Sequence, residues 1–258
     1  GPTYYSAIAG TPFAHEYLAE FAKTLITNEK LGKNPAGVPD FFAVSFSSHD
    51  AINHTFGPES KESVDDFLRL DRVLADFFRF LDAQTGGETL VVLSADHGFS
   101  FTPEYWKDVV KLEAARINPK EMLKALNDHL SANYGLGTYA VTWRLPTVWL
   151  DYALVDERRL KRAEVEAEAA RFLAVVPGIH TVFTRTQLQN GWVPPTRLGL
   201  LASRSWNSER SGDLLLIQKD GWYFSELPSG MSAMHGTPWT YDARVPVVFM
   251  GSPWVRSG

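Results

Sequence analysis

The sequence predicts an α/β fold: a partial doubly wound, mostly parallel sheet flanked by helices, with an inserted α+β cap. Three observations predict it. Two short apolar runs, at residues 41–46 and 89–93, flank one long amphipathic helix, which is the strand, helix, strand order of a parallel βαβ unit. A third apolar run at 245–251 closes the chain and is placed to rejoin the same sheet. Between the second and third runs the periodicity changes to helices mixed with hairpin-like strands, the signature of a separate small α+β region.

Each element has local reasons. Thr11-Pro12 reads as a helix N-cap with proline at the first helical position, and Phe13, Tyr17, Leu18, Phe21, Leu25 and Ile26 then recur at helical spacing until Gly32. Phe41-Phe42-Ala43-Val44-Ser45-Phe46 is apolar almost throughout, as in strands buried on both faces. The helix over 60–84 carries Val64, Phe67, Leu68, Leu74, Phe77, Phe78 and Leu81 on one stripe and is ended by Gly86-Gly87. Asn118-Pro119 opens a helix through Met122, Leu123 and Leu126 towards Gly135, and a further helix is expected over 157–173. Strands are expected at 141–150 and 179–183, with a hairpin pairing 213–218 and 222–224 around Asp220-Gly221. Pro246 confines the last run to a sheet edge or a strand start. The division that follows is a core made of 1–103 and 231–258, with 104–230 as the cap.

Composition narrows the function. The chain has 258 residues, enough for one large domain or two small ones, and is 45% hydrophobic, 21% charged and 13% aromatic. A formal net charge of -5 lacks the basic footprint of a nucleic-acid binder, and no basic groove accompanies Trp239, Tyr241 and Trp254. Small molecules are the expected ligands. With no cysteine, a disulfide framework, a thiolate metal site and a cysteine nucleophile are all excluded within these residues. No window approaches the roughly 18 apolar residues of a membrane span. Gly1-Pro2 reads as a processing scar, so an export signal is expected to have been lost upstream.

Open α/β sheets present ligands just beyond the carboxyl ends of their strands. Asp50 and His54 follow the first apolar run, Asp96-His97 follows the second, and His235 lies in a Gly/Pro turn shortly before the third. Zinc accepts imidazole nitrogen and carboxylate oxygen, usually from three protein ligands at a catalytic site. Asp50, His54 and His235 make one such set; Asp96 and His97 begin a second that is one or two ligands short. Two metals ~4 Å apart are the usual clamp on the oxygens of a phosphoryl transfer. Taken singly, each residue has a blander role: a strand-end Asp often caps the next helix, and an isolated His more often bonds a loop carbonyl. The conjunction is what points to a metal. His15 and His129, within helices, His180, within a strand, and His49, beside better candidates, are assigned to structure, as is the charged run 157–171.

In chain order, Phe46-Ser47-Ser48-His49-Asp50 through His54-Thr55-Phe56-Gly57-Pro58, then Leu93-Ser94-Ala95-Asp96-His97-Gly98, then His235-Gly236-Thr237-Pro238-Trp239 through Val245-Pro246 resemble the alkaline phosphatase superfamily. Within it the likeness is to bacterial phosphate-irrepressible alkaline phosphatases and the related type I phosphodiesterase/nucleotide pyrophosphatase group. Leu70-Asp71 and Arg210-Ser211-Gly212-Asp213 share in it. The resemblance implies that Asp50, His54 and His235 hold one zinc and that Asp96 and His97 belong to a second. It implies hydrolysis of a small-molecule phosphate monoester through a phospho-enzyme, in a periplasmic or secreted setting. It matches no residue here to the family's nucleophile, so the catalytic residues are unknown and the chain reads as a C-terminal half, inactive alone. A phosphodiesterase of the same superfamily and a catalytically inactive metal-binding module are the alternatives. A sheet of so few strands leaves an apolar edge, so a complementing N-terminal half or self-association is expected.

Overall fold

The structure, a computed structural model, describes residues 7–225, 232–251 and 254–255. Gly1-Pro2 and the boundary expected at 230/231 fall outside the described residues. The chain forms two compact units: residues 1–102, 231–234 and 244–258 in one, 103–230 and 235–243 in the other. Residues 235–243 thus group with the second unit, where the sequence places all of 231–258 with the first.

The first unit opens with helix α1 (Phe13–Asn28), followed by α2 (Ser48–Phe56) and α3 (Lys61–Thr85). The capping chemistry of α3 is local and complete. Ser60 in an extended conformation accepts from the Ser63 N–H, and Gly86 ends the helix at φ 69°, a conformation glycine adopts without penalty. α1 and α3 pack through Ala22, Ile26 and Phe77, with Phe42, Phe78 and Leu81 at the rim. Burying a phenylalanine such as Phe77 stabilises by roughly 1.5–3 kcal/mol. Strand β1 (Val91–Ser94) then leads to the loop that bears Asp96 and His97.

The run 41–46 forms no ladder among the described residues, which corrects the expected parallel pairing with 89–93. Its apolar residues are used differently: Phe42 joins the α1/α3 cluster and Phe46 meets the His15 ring at 5.8 Å. Apolar patterning gives burial, whereas a ladder also needs a neighbouring strand to satisfy its backbone.

After a short helical turn (Pro103–Tyr105) that continues as a π-helix (Trp106–Val110), the second unit has β2 (Arg116–Ile117) and α4 (Pro119–Tyr134), whose cap residue Asn118 accepts from the Lys120 and Glu121 N–H groups. A hairpin follows, β3 (Ala140–Arg144) and β4 (Thr147–Leu150), then α5 (Tyr152–Glu157), α6 (Arg162–Ala174), β5 (Ile179–Thr184), α7 (Arg185–Gln189), α8 (Arg197–Ser205), β6 (Leu214–Gln218) and β7 (Tyr223–Phe224). The helix expected over 157–173 starts five residues later, as α6, because a separate short helix ends at Glu157 and Arg159 turns the chain at φ 57°. The sheet runs β3-β4-β6-β5, antiparallel throughout. β6 is apolar at successive positions because both faces are covered. Leu214 and Leu216 enter the core with Leu126, Leu130, Val165 and Leu173, while Leu215 and Ile217 meet Leu188 and Ala202 on the other side.

The hairpin expected between 213–218 and 222–224 does not form. After a turn in which the Trp222 N–H donates to Lys219 O, β7 pairs in parallel with β2 instead. The last strand, β8 (Val247–Met250), returns to the first unit and pairs antiparallel with β1, with Pro246 just ahead of the ladder.

Candidate metal centre

Helix α2 carries the first ligand candidates. It is stopped by Gly57 at φ 90°, where an added Cβ would stand 2.8 Å from Thr102 Cγ2 and 2.9 Å from Glu59 Oε2, so both conformation and space require glycine. Asp50 and His54 are one turn apart and therefore share a face, with His54 Nε2 3.5 Å from Asp50 Oδ1. From the loop after β1, His97 Nε2 lies 3.7 Å from the same Asp50 oxygen and 3.5 Å from Asp96 Oδ2. Four of the five expected ligands, Asp50, His54, Asp96 and His97, thus come together in the first unit. The sequence assigns them to two metals, and one Asp50 oxygen lies near both sets, 3.5 Å from His54 Nε2 and 3.7 Å from His97 Nε2.

The backbone fixes which imidazole nitrogen faces that oxygen. His54 Nδ1 is 3.0 Å from Ala233 O and His97 Nδ1 is 2.9 Å from Gly98 O. A carbonyl can only accept, so each Nδ1 carries the hydrogen, and in the neutral ring the lone pair is on Nε2. Each lone pair then faces the same carboxylate oxygen, which suits a cation held between Asp50 and either histidine. Spacing agrees with this, because two atoms each ~2.1 Å from a tetrahedral zinc stand ~3.4 Å apart. Histidine nitrogens opposite a metal commonly bond carbonyls in this way. Phe99 packs against both rings, 4.8 Å from His54 and 6.0 Å from His97 between centroids, and limits their rotation.

The segment 232–234 is laced to this centre. Ser232 N–H donates to His54 O at 2.7 Å, Ser232 Oγ to Thr55 O at 2.7 Å, and Ser100 N–H to Met234 O at 3.2 Å. His235 is the next residue along the chain and begins the second unit's 235–243 segment. Asp96 is different in kind: its Oδ1 accepts from the His97 N–H at 3.1 Å, and its side chain is 89% exposed.

His49, assigned to structure by the sequence, and Asn53, which the sequence reading passed over, each adjoin a ligand candidate on α2. His49 Nδ1 is 2.8 Å from Asp66 Oδ2, and Ser63 Oγ donates to Asn53 Oδ1 at 2.7 Å. The signal was present as a second one-turn pair on α2, His49 and Asn53, offset by one residue from Asp50 and His54. Of the other histidines, His15 meets Asp66, His129 is 2.7 Å from Glu168 Oε1, and His180 packs on Trp239. The Arg210 to Asp213 motif is structural: Asp213 accepts from Arg185 Nε at 2.6 Å and from the Leu150 N–H at 2.7 Å.

Residues 2–238 match the type I phosphodiesterase/nucleotide pyrophosphatase family, to which the chain belongs, within the alkaline phosphatase superfamily. A protein of Myroides odoratus named calcium-transporting ATPase is 36% identical over 248 residues, covering 96% of this chain and 45% of that protein. The alkaline phosphatase PhoV of Synechococcus elongatus is 32% identical over 251 residues, 96% of this chain and 43% of PhoV. The crystal structure of wild-type alkaline phosphatase PafA superposes with a TM-score of 0.84 at 29% identity, over 95% of this chain and 45% of PafA. The α/β class read from the sequence holds. The chain spans less than half the length of these relatives.

Proposed function

We propose that this chain supplies metal ligands and the cap of a zinc-dependent phosphoester hydrolase acting on small-molecule phosphate monoesters. The observation that carries this reading is the convergence of His54 Nε2 and His97 Nε2 on one oxygen of Asp50, at 3.5 and 3.7 Å. The alkaline phosphatase names of the relatives supply the reaction class. Asp50, His54 and His97 would hold the metal, with Asp96 reaching it from the solvent side. We assign His235 to the same centre on sequence grounds alone, from its place in the Gly/Pro turn ahead of the third apolar run. When bound, zinc stabilises negative charge developing on the ester oxygens. The residues of this chain hold ligand orientation: Ala233 and Gly98 fix the imidazole tautomers, and Phe99 fixes the ring planes.

The phospho-enzyme step requires a hydroxyl nucleophile, which we place outside these 258 residues, in the part of the relatives' length that the chain does not match. Export to the periplasm or secretion belongs to the same proposal. A phosphodiesterase reading is favoured by one observation, the family matched by residues 2–238. Turnover of p-nitrophenyl phosphate, its bis-ester and ATP by the purified chain with zinc tests the proposal. Background rates are expected on all three; zinc-dependent turnover that His235→Ala abolishes would place a nucleophile within this chain and overturn that part.

A further inference from the structure

Helix α2 presents two stripes, each a pair one turn apart. Asp50 and His54 form one; His49 and Asn53 form the other, ~100° around the axis. The second stripe is where α3 grips α2. Asp66 takes His49 at 2.8 Å and Ser63 takes Asn53 at 2.7 Å, so neighbouring positions on one turn of α3 hold successive turns of α2. Asp66 is fully buried, at 0% exposure, and His15 from α1 lies 3.2 Å from its Oδ1 and 3.4 Å from its Oδ2. A carboxylate taken out of water is costly unless donors meet it, and here imidazoles from two other helices both meet Oδ2, while Oδ1 has no hydrogen-bond partner among the described residues. Packing alone does not call for this, since α1 and α3 already share the Ala22, Ile26 and Phe77 cluster.

We propose that Asp66, acting through His49, is a positioning residue of the metal centre: it sets the rotation of α2 about its own axis and hence the direction of Asp50 and His54. The lever is short and steep. A side-chain atom ~6 Å from a helix axis moves ~1 Å for a 10° rotation, about twice the tolerance of a preorganised site. His49 adjoins Asp50, and Asn53 adjoins His54, so the grip acts at both ligands together. The inference rests on Asp50 and His54 being metal ligands.

Cobalt(II), whose visible spectrum reports coordination geometry, is the probe. Affinity and spectrum would be measured for the wild type, Asp66→Asn, His49→Gln, His54→Ala and Asp76→Asn, with amide hydrogen exchange over residues 48–56. The His49 side chain is partly exposed, so His49→Gln keeps the test open if Asp66→Asn does not fold. Asp76→Asn removes an exposed partner of Lys23 between α1 and α3 and leaves α2 untouched. The proposal expects about 10-fold or greater weakening and an altered spectrum in Asp66→Asn and His49→Gln, and neither in Asp76→Asn. Wild-type affinity and spectrum in the Asp66 and His49 variants would overturn it. If the wild type binds no cobalt, or His54→Ala binds equally well, the ligand reading fails. The positioning of α2 is then decided by exchange alone: faster exchange in His49→Gln than in Asp76→Asn supports it, and equal exchange overturns it.

Discussion

Tyr241 shows how one side chain can set the alkaline limit of the second unit. Burial pushes its phenol up to about 12 from an ordinary value of 10.0, and the Gly221 N–H points to its oxygen at 3.4 Å. The folded-state value is raised, so the folded protein holds the proton more tightly than the unfolded chain does. Its contribution is fully present below pH ~10 and is lost as the pH rises towards ~12. The expected loss is on the order of 2 kcal/mol across that window. Urea midpoints measured from pH 9 to 12 should fall for the wild type and fall less for Tyr241→Phe; parallel profiles would contradict this. Glu168 works at the other limit. Arg171 first, and then His129, hold its carboxyl below the usual glutamate range, so its contribution is present at neutral pH and is lost as the pH falls through the lowered value. Both groups are partly exposed, and the effect there is small.

Among the elements, helix ends were legible because their chemistry is local. Ser60, Gly86, Asn118-Pro119 and Gly135 stand where the helices begin and stop. Ser60→Ala is expected to lower stability by about 1 kcal/mol. Gly57→Ala is expected to cost more, about 1–3 kcal/mol, because φ 90° and the Thr102 contact act together. Equal urea midpoints for wild type and Gly57→Ala would contradict the account of the α2/α3 junction. Strand partners were less legible. The run 41–46 and segment 222–224 have strand-like composition, but a ladder is chosen by whichever segment lies alongside, and for 223–224 that is Arg116–Ile117, over a hundred residues away. The metal candidates were found by their position after apolar runs. The grip behind them was not, because His49 and Asp66 are 17 residues apart on separate helices and nothing local joins them.

For the molecule as a whole, the first unit carries an apolar surface that its own residues leave in water. Val92, Val247, Val248 and Phe249 on the β1/β8 pair are each at least half exposed, and so are Phe13, Tyr17, Val64 and Phe67 on α1 and α3. We propose that these exposed apolar residues belong to an interface. We expect self-association or capture of a complementing segment, read by size-exclusion chromatography with light scattering, and Phe249→Lys is expected to reduce it. A clean monomer at all concentrations would count against this. Among the described residues no helix is long and apolar enough to cross a membrane.

We propose that Asp50, His54 and His97 belong to a metal centre. Zinc titration by calorimetry, with elemental analysis, on the wild type and His54→Ala tests it most directly. The account predicts about one tightly bound zinc per chain, lost or at least ten-fold weaker in the variant. A wild type that binds no zinc, or a variant that binds it equally well, would contradict it.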